Sequence, residues 1–95
     1  MLVNRRTFVI KRGHIEDAAA MLAEGMRRMG VQGRVYLPEV GPFDVIAVEG
    51  EFESLAAYEQ FWSAWAAQPD TGAFMERWYA ITESGGANEI WRLAE

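Results

Sequence analysis

The sequence predicts an α+β sandwich of the split βαβ kind, with elements in the order β-α-β-β-α-β and one domain over residues 1–95. Three observations carry this. The stretch Asp44–Trp65, DVIAVEGEFESLAAYEQFWSAW, is an alternating strand that runs straight into an N-capped amphipathic helix. A matching strand and helix precede it between Arg5 and Met29. The chain closes on a short apolar run, EIWRL. The order implies a four-stranded antiparallel sheet with both helices on one face.

The elements follow in chain order. Thr7–Ile10 is β-branched and aromatic with charges on either side, and reads as the first strand. Gly13 and His14 end it. Ile15, Ala18, Ala19, Leu22, Met26 and Met29 then recur with the period of one helical face. Glu16 and Asp17 in the first turn, and Arg27 and Arg28 in the last, complement the helix dipole. Gly30 is the expected stop. The second strand, Arg34–Val40, contains Pro38, which suits an edge or a strand end. After a turn at Gly41-Pro42 the third strand, Asp44–Gly50, makes a hairpin with it. Ser54 is the N-cap of a helix carrying Leu55, Tyr58, Phe61, Trp62 and Trp65. Beyond Pro69, Asp70 caps a shorter helix bearing Phe74, Met75, Trp78 and Ile81. Ser84-Gly85-Gly86 reads as a flexible break, and Glu89–Leu93 as the last strand.

Composition narrows the function classes. With no cysteine, the chain has neither disulfides nor a Cys-based metal site. The formal net charge of −5 argues against a phosphate backbone as partner, so no nucleic acid is expected. Arg5-Arg6 with Lys11-Arg12, and Arg27-Arg28, read as solvated strand ends and a solvated helix face. No run of 18 apolar residues is present, so no membrane span is expected. The first residues lack the apolar core of a signal peptide, and a cytoplasmic location is expected. Four tryptophans, three tyrosines and five phenylalanines are a heavy aromatic load for so short a chain. Such side chains dominate cores and interfaces.

The sheet face away from the helices is mixed rather than plainly solvated. Alternation gives it Thr7, Val9 and Lys11 from the first strand, Arg34 and Tyr36 from the second, and Val45, Ala47 and Glu49 from the third. The helix-facing set is expected to be nearly pure apolar. A half-apolar face on a small acidic domain suggests a partner surface, so the chain is expected to pair with itself as a homodimer through the sheet face.

The order of elements, the segment EFESLAAYEQFWSAW followed by PDTGAFMERW, and the closing EIWRL resemble the dimeric α/β-barrel superfamily. Within it the chain is most similar to small bacterial NIPSNAP-like proteins. The resemblance covers nearly the whole chain and rests on topological and packing motifs. It implies a ferredoxin-like fold that pairs as a dimeric α/β barrel, with a cavity between the two sheets. The superfamily includes cofactor-independent quinone-forming monooxygenases, haem-degrading monooxygenases and lactone isomerases, alongside many members without an established activity. A fold shared by such different chemistries does not fix a function.

Candidate site residues are few. His14 is the only histidine and reads as a surface residue at a helix start. The haem-degrading enzymes carry their axial histidine in a later helix, and Phe61–Tyr79 holds none, so haem ligation of that type is not expected. Glu49, Glu51 and Glu53 alternate at the end of the third strand and read as a solvated strand end, with a divalent cation as the sharper alternative. No metal site and no cofactor are expected. Trp62, Trp65 and Trp78 have the spacing of core residues, or of an aromatic cage for a flat ligand. Tyr36 and Trp91 are candidate ligand-binding residues of the inter-sheet cavity, and Glu49 is the candidate general base. Its pKa is expected to be raised by desolvation in that cavity. Arg34 and Arg92 are candidates for holding a carboxylate. Glycine-rich phosphate loops, nucleophile elbows and triad spacings are absent. The reading is a small homodimeric ligand-binding or structural module. The alternative is a cofactor-independent monooxygenase acting on an aromatic substrate, and whether the chain is an enzyme stays open at this point.

Overall fold

A computed structural model describes residues 1–95. Seven elements succeed one another: β1 (Leu2–Ile10), α1 (Ile15–Met29), β2 (Gly33–Tyr36), β3 (Val45–Phe52), α2 (Leu55–Ala66), α3 (Thr71–Ile81) and β4 (Thr82–Arg92). The strands form one antiparallel sheet in the order β2-β3-β1-β4, the ferredoxin-like arrangement. All three helices lie on one of its faces. The second βαβ half therefore holds two helices, α2 and α3, joined by a turn at Gln68–Asp70.

Register assigns every strand residue to a face, because directly paired residues project to the same side. Phe8 pairs with Ile46 and Arg6 with Val48. Ile46 and its neighbours meet the helices, so Leu2, Asn4, Arg6, Phe8 and Ile10 form the helix side of β1. Val3, Arg5, Thr7 and Val9 form its open side, opposite Glu51, Glu49, Ala47 and Val45. Tyr36 pairs with Ala47, and Trp91 with Val3, so both belong to the open face.

Four boundaries differ from the sequence reading. β1 begins at Leu2 rather than Thr7, because Leu2–Arg6 bond to β3 on one flank and β4 on the other despite their charges. This also corrects the expectation of an apolar helix side, which carries Asn4 and Arg6. β2 ends at Tyr36, and Pro38 lies in the loop. β3 continues to Phe52. β4 starts at Thr82, directly after α3, and Ser84–Gly86 lie inside it as a bulge. The step of two positions from Thr7 to Val9 in β1 is matched by a step of four, from Ala87 to Glu83, in β4. Gly86, at φ 93°, supplies the backbone geometry, and its α-carbon lies so close to the Thr7 carbonyl that no Cβ would fit.

The helices start and stop for local reasons. The Ser54 hydroxyl accepts a hydrogen bond from the Ala57 N–H at 3.1 Å, as expected of an N-cap. Gly30 closes α1 in the left-handed conformation, φ 69°. Asp70 makes no side-chain cap on α3; its carboxylate accepts from Arg28 at 2.6 Å and ties the end of α1 to the α2–α3 turn. The fully enclosed core is small: Ile10, Ala18, Ile46 and Trp78, with Phe8 edge-on to Trp78 at 5.0 Å. Only seven residues are buried, so much of the apolar surface borders either a pocket or solvent.

Candidate ligand pocket

The aromatic residues of α2 and α3 do not fill the space between helices and sheet. Phe52, Phe61, Trp62, Trp65, Phe74 and Trp78 form a chain of ring contacts, each pair with centroids 4.9–6.2 Å apart and mostly edge-to-face. Between these rings, the inner side of α1 and the sheet lies a cavity of about 240 Å³, partly open to solvent. Sixteen residues line it and twelve are hydrophobic. That volume is just below the range of about 300–1,000 Å³ usual for drug-sized ligands, which points to a small molecule. Gly25 contributes the α1 wall, and a Cβ added there would meet nothing within 4 Å.

One end of the cavity is polar. Asn4 and Arg6 reach it from the helix side of β1. The Asn4 amide donates to Asn88 Oδ1 at 2.7 Å and to the Glu89 carbonyl at 2.9 Å, and is 5 % exposed. Its own Oδ1 accepts from Arg6 Nε at 3.1 Å. The Arg6 guanidinium lies over the Trp62 ring, 4.1 Å from its centroid, and donates to the Tyr58 hydroxyl at 3.1 Å. Burial alone would push the Tyr58 phenol up. Hydrogen bonding from Asn88 and Arg6, the Arg6 charge and the nearby Trp62 outweigh it and hold the pKa below the ordinary phenol value. The Trp62 Nε1 atom is buried and has no hydrogen-bond acceptor within good geometry.

The residues named from sequence for the inter-sheet cavity lie elsewhere. Tyr36 and Glu49 share the open face, as alternation placed them, register puts Trp91 there too, and none of the three lines this cavity. The Tyr36 hydroxyl donates to Glu49 Oε1, and Arg5 donates to Glu49 Oε2, both at 2.9 Å. Trp91 is exposed, and its indole donates to Glu89 at 3.1 Å. The Tyr36 bond is the main reason the Glu49 carboxyl lies below, not above, the usual carboxylate range; partial burial opposes this, and Arg5 and Arg34 add to it. In the single chain the Tyr36 and Arg5 bonds thus outweigh burial, and the raised pKa expected of Glu49 belongs to a cavity closed by a second sheet. Arg34, from β2, faces the same carboxylates. His14 is half-buried just before the start of α1, its Nδ1 3.2 Å from an Asp17 carboxylate oxygen. Glu49, Glu51 and Glu53 do not converge, and no group of three or more His, Asp or Glu side chains is placed to hold a metal. Trp62, Trp65 and Trp78 all line the cavity, and Trp78 is in addition a buried core residue. Asn4, Arg6 and Tyr58 were missed. The signal was the alternation Leu2-Asn4-Arg6-Phe8-Ile10, which puts two polar residues in line with two core residues.

These features define a class: a ferredoxin-like α+β domain with an aromatic pocket between its helices and its sheet. No helix is long and apolar enough to cross a membrane. Solved structures share the fold over essentially the whole chain. A NIPSNAP domain protein from Burkholderia xenovorans matches at TM-score 0.84 and 18% identity, covering 99% of this chain and 95% of its own. A NIPSNAP family protein of unknown function from Agrobacterium tumefaciens matches at 0.83 and 21%, covering 99% and 88%. A putative antibiotic biosynthesis monooxygenase from Deinococcus radiodurans is more distant, at 0.73 and 12%, covering 100% and 94%. In fold, then, the chain resembles the NIPSNAP proteins. No family model and no curated protein matches the sequence.

Proposed function

We propose that this protein binds a small, flat, largely apolar molecule in the cavity between its helices and its sheet, and that it works as a homodimer joined through the open sheet faces. The observation that carries the binding reading is the cavity itself. Aromatic rings packed on one another wall a space with a polar group at one end, the usual make-up of a small-molecule site. The pairing reading is supported by the open face, where Val3, Val9, Val45 and Ala47 lie beside the Arg5–Glu49–Tyr36 network, and by the small core. A partner sheet would cover these residues.

Gly25 offers a direct test. A leucine there would add bulk at the α1 wall of the cavity, where a Cβ meets nothing within 4 Å, and leucine favours helix over glycine by about 1 kcal/mol. Gly25→Leu should abolish binding of planar aromatic probes, read by calorimetry, without lowering the melting temperature. Equal binding by both proteins would place the ligand elsewhere.

A second reading is favoured by the fold likeness to structures named as antibiotic biosynthesis monooxygenases. On it, the same cavity would hold an aromatic substrate for oxidation by molecular oxygen without a cofactor. Oxygen uptake with a panel of phenols and anthrones tests it, and Gly25→Leu should abolish any uptake seen.

A further inference from the structure

The charge pattern of the pocket selects the class of ligand. Among the sixteen lining residues Arg6 is the only charged one, in a chain whose formal net charge is −5. Its partners are the amide oxygen of Asn4, the hydroxyl of Tyr58 and the face of Trp62, all uncharged groups. No carboxylate lies within ion-pair distance of it, whereas Arg5, Arg12, Arg27 and Arg28 each have one. A partly buried guanidinium without a counter-charge is costly to keep, and an entering anion would offset that cost. Asn4, locked by Asn88 and Glu89, fixes the Nε edge of the guanidinium and so aims the rest of the fork.

We propose that the pocket is a site for small amphipathic carboxylates: an apolar, preferably aromatic body lies among Phe61, Trp65 and Phe74, and the carboxylate is held by Arg6. The proposal rests on the pocket-binding reading above and adds the charge of the ligand. A carboxylate fits better than a phenolate for two reasons. Its two oxygens match the planar guanidinium, and it is fully ionised at neutral pH.

The test compares 2-naphthoate with its neutral isostere 2-naphthamide by isothermal titration calorimetry on the full chain at pH 7. The carboxylate should bind about tenfold to a hundredfold more tightly, the value of one charged hydrogen-bonded contact. In Arg6→Met the preference should vanish while the amide keeps its affinity, which also shows that the variant is folded. Arg6→Lys should keep part of the preference, having the charge without the fork. Raised salt should weaken naphthoate and leave naphthamide unchanged. Equal binding of the two probes to the unaltered protein overturns the carboxylate assignment and leaves the pocket reading standing. A preference that survives Arg6→Met also overturns it, since another group would then read the charge. Binding of neither probe overturns both.

Discussion

Glu49 shows how a residue can be placed correctly by alternation and still differ in chemistry. Its face was legible from the strand pattern, but its hydrogen bonds were not, because Tyr36 and Arg5 come from two different strands whose register only the folded sheet fixes. The result is a carboxylate stabilised in its charged form. Its folded pKa is depressed, so its contribution to stability is present above the unfolded value and is lost as pH falls through the folded value. Denaturant titrations should therefore show the protein losing stability below the usual carboxylate range. Glu49→Gln should show a shallower loss between pH 6 and pH 3. An unchanged pH slope in that variant would show that the ion pair carries none of the acid sensitivity. Arg6 is the opposite case. Taking β1 to begin at Thr7 left Asn4 and Arg6 outside the strand, so their side of the sheet could not be read.

At the scale of elements, the helices were the most legible part. The 3.6-residue period of α1, its Gly30 stop and the Ser54 cap of α2 are local signals, and the folded chain keeps all three. β4 was the least legible. Ser84-Gly85-Gly86 has the composition of a break, and nothing local marks it as a strand. It becomes one because Thr82 and Glu83 on one side and Ala87–Arg92 on the other both pair with β1, and the two extra residues must be looped out between them. Gly86→Ala tests that account. The new methyl would meet the Thr7 carbonyl, at a φ that side chains disfavour. A loss of roughly 1–3 kcal/mol is expected in urea unfolding. A loss below about 0.5 kcal/mol would mean that the bulge relaxes freely.

On the scale of the whole molecule, the fold class, the order of elements and the identity of the open face followed from pattern, while the pocket did not. Periodicity marks Trp62, Trp65 and Phe74 as inward-facing. It does not reveal that, packed on one another, they leave a space between themselves and the sheet, since that depends on the tilt of three helices over a sheet. The proposed pairing makes its own prediction. Val9 lies on the open face opposite Val45, and Val9→Glu would place a carboxylate in the interface without a partner. Light scattering at micromolar concentration should give about twice the 10.7 kDa chain mass for the unaltered protein and a shift toward that mass for the variant. A monomer in both would remove the homodimer from the proposal.

The bulge in β4 also bears on how the molecule behaves in a crowded solution. β4 is an outer strand of the sheet and the longest one, eleven residues, so its free edge is a template on which another chain could add and start a fibril. The looped-out glycines break that edge into two short pieces, and Glu83 and Glu89 put a negative charge on each. The opposite edge, β2, has only four residues. The same local irregularity that hides β4 from sequence reading thus guards the sheet against end-to-end aggregation.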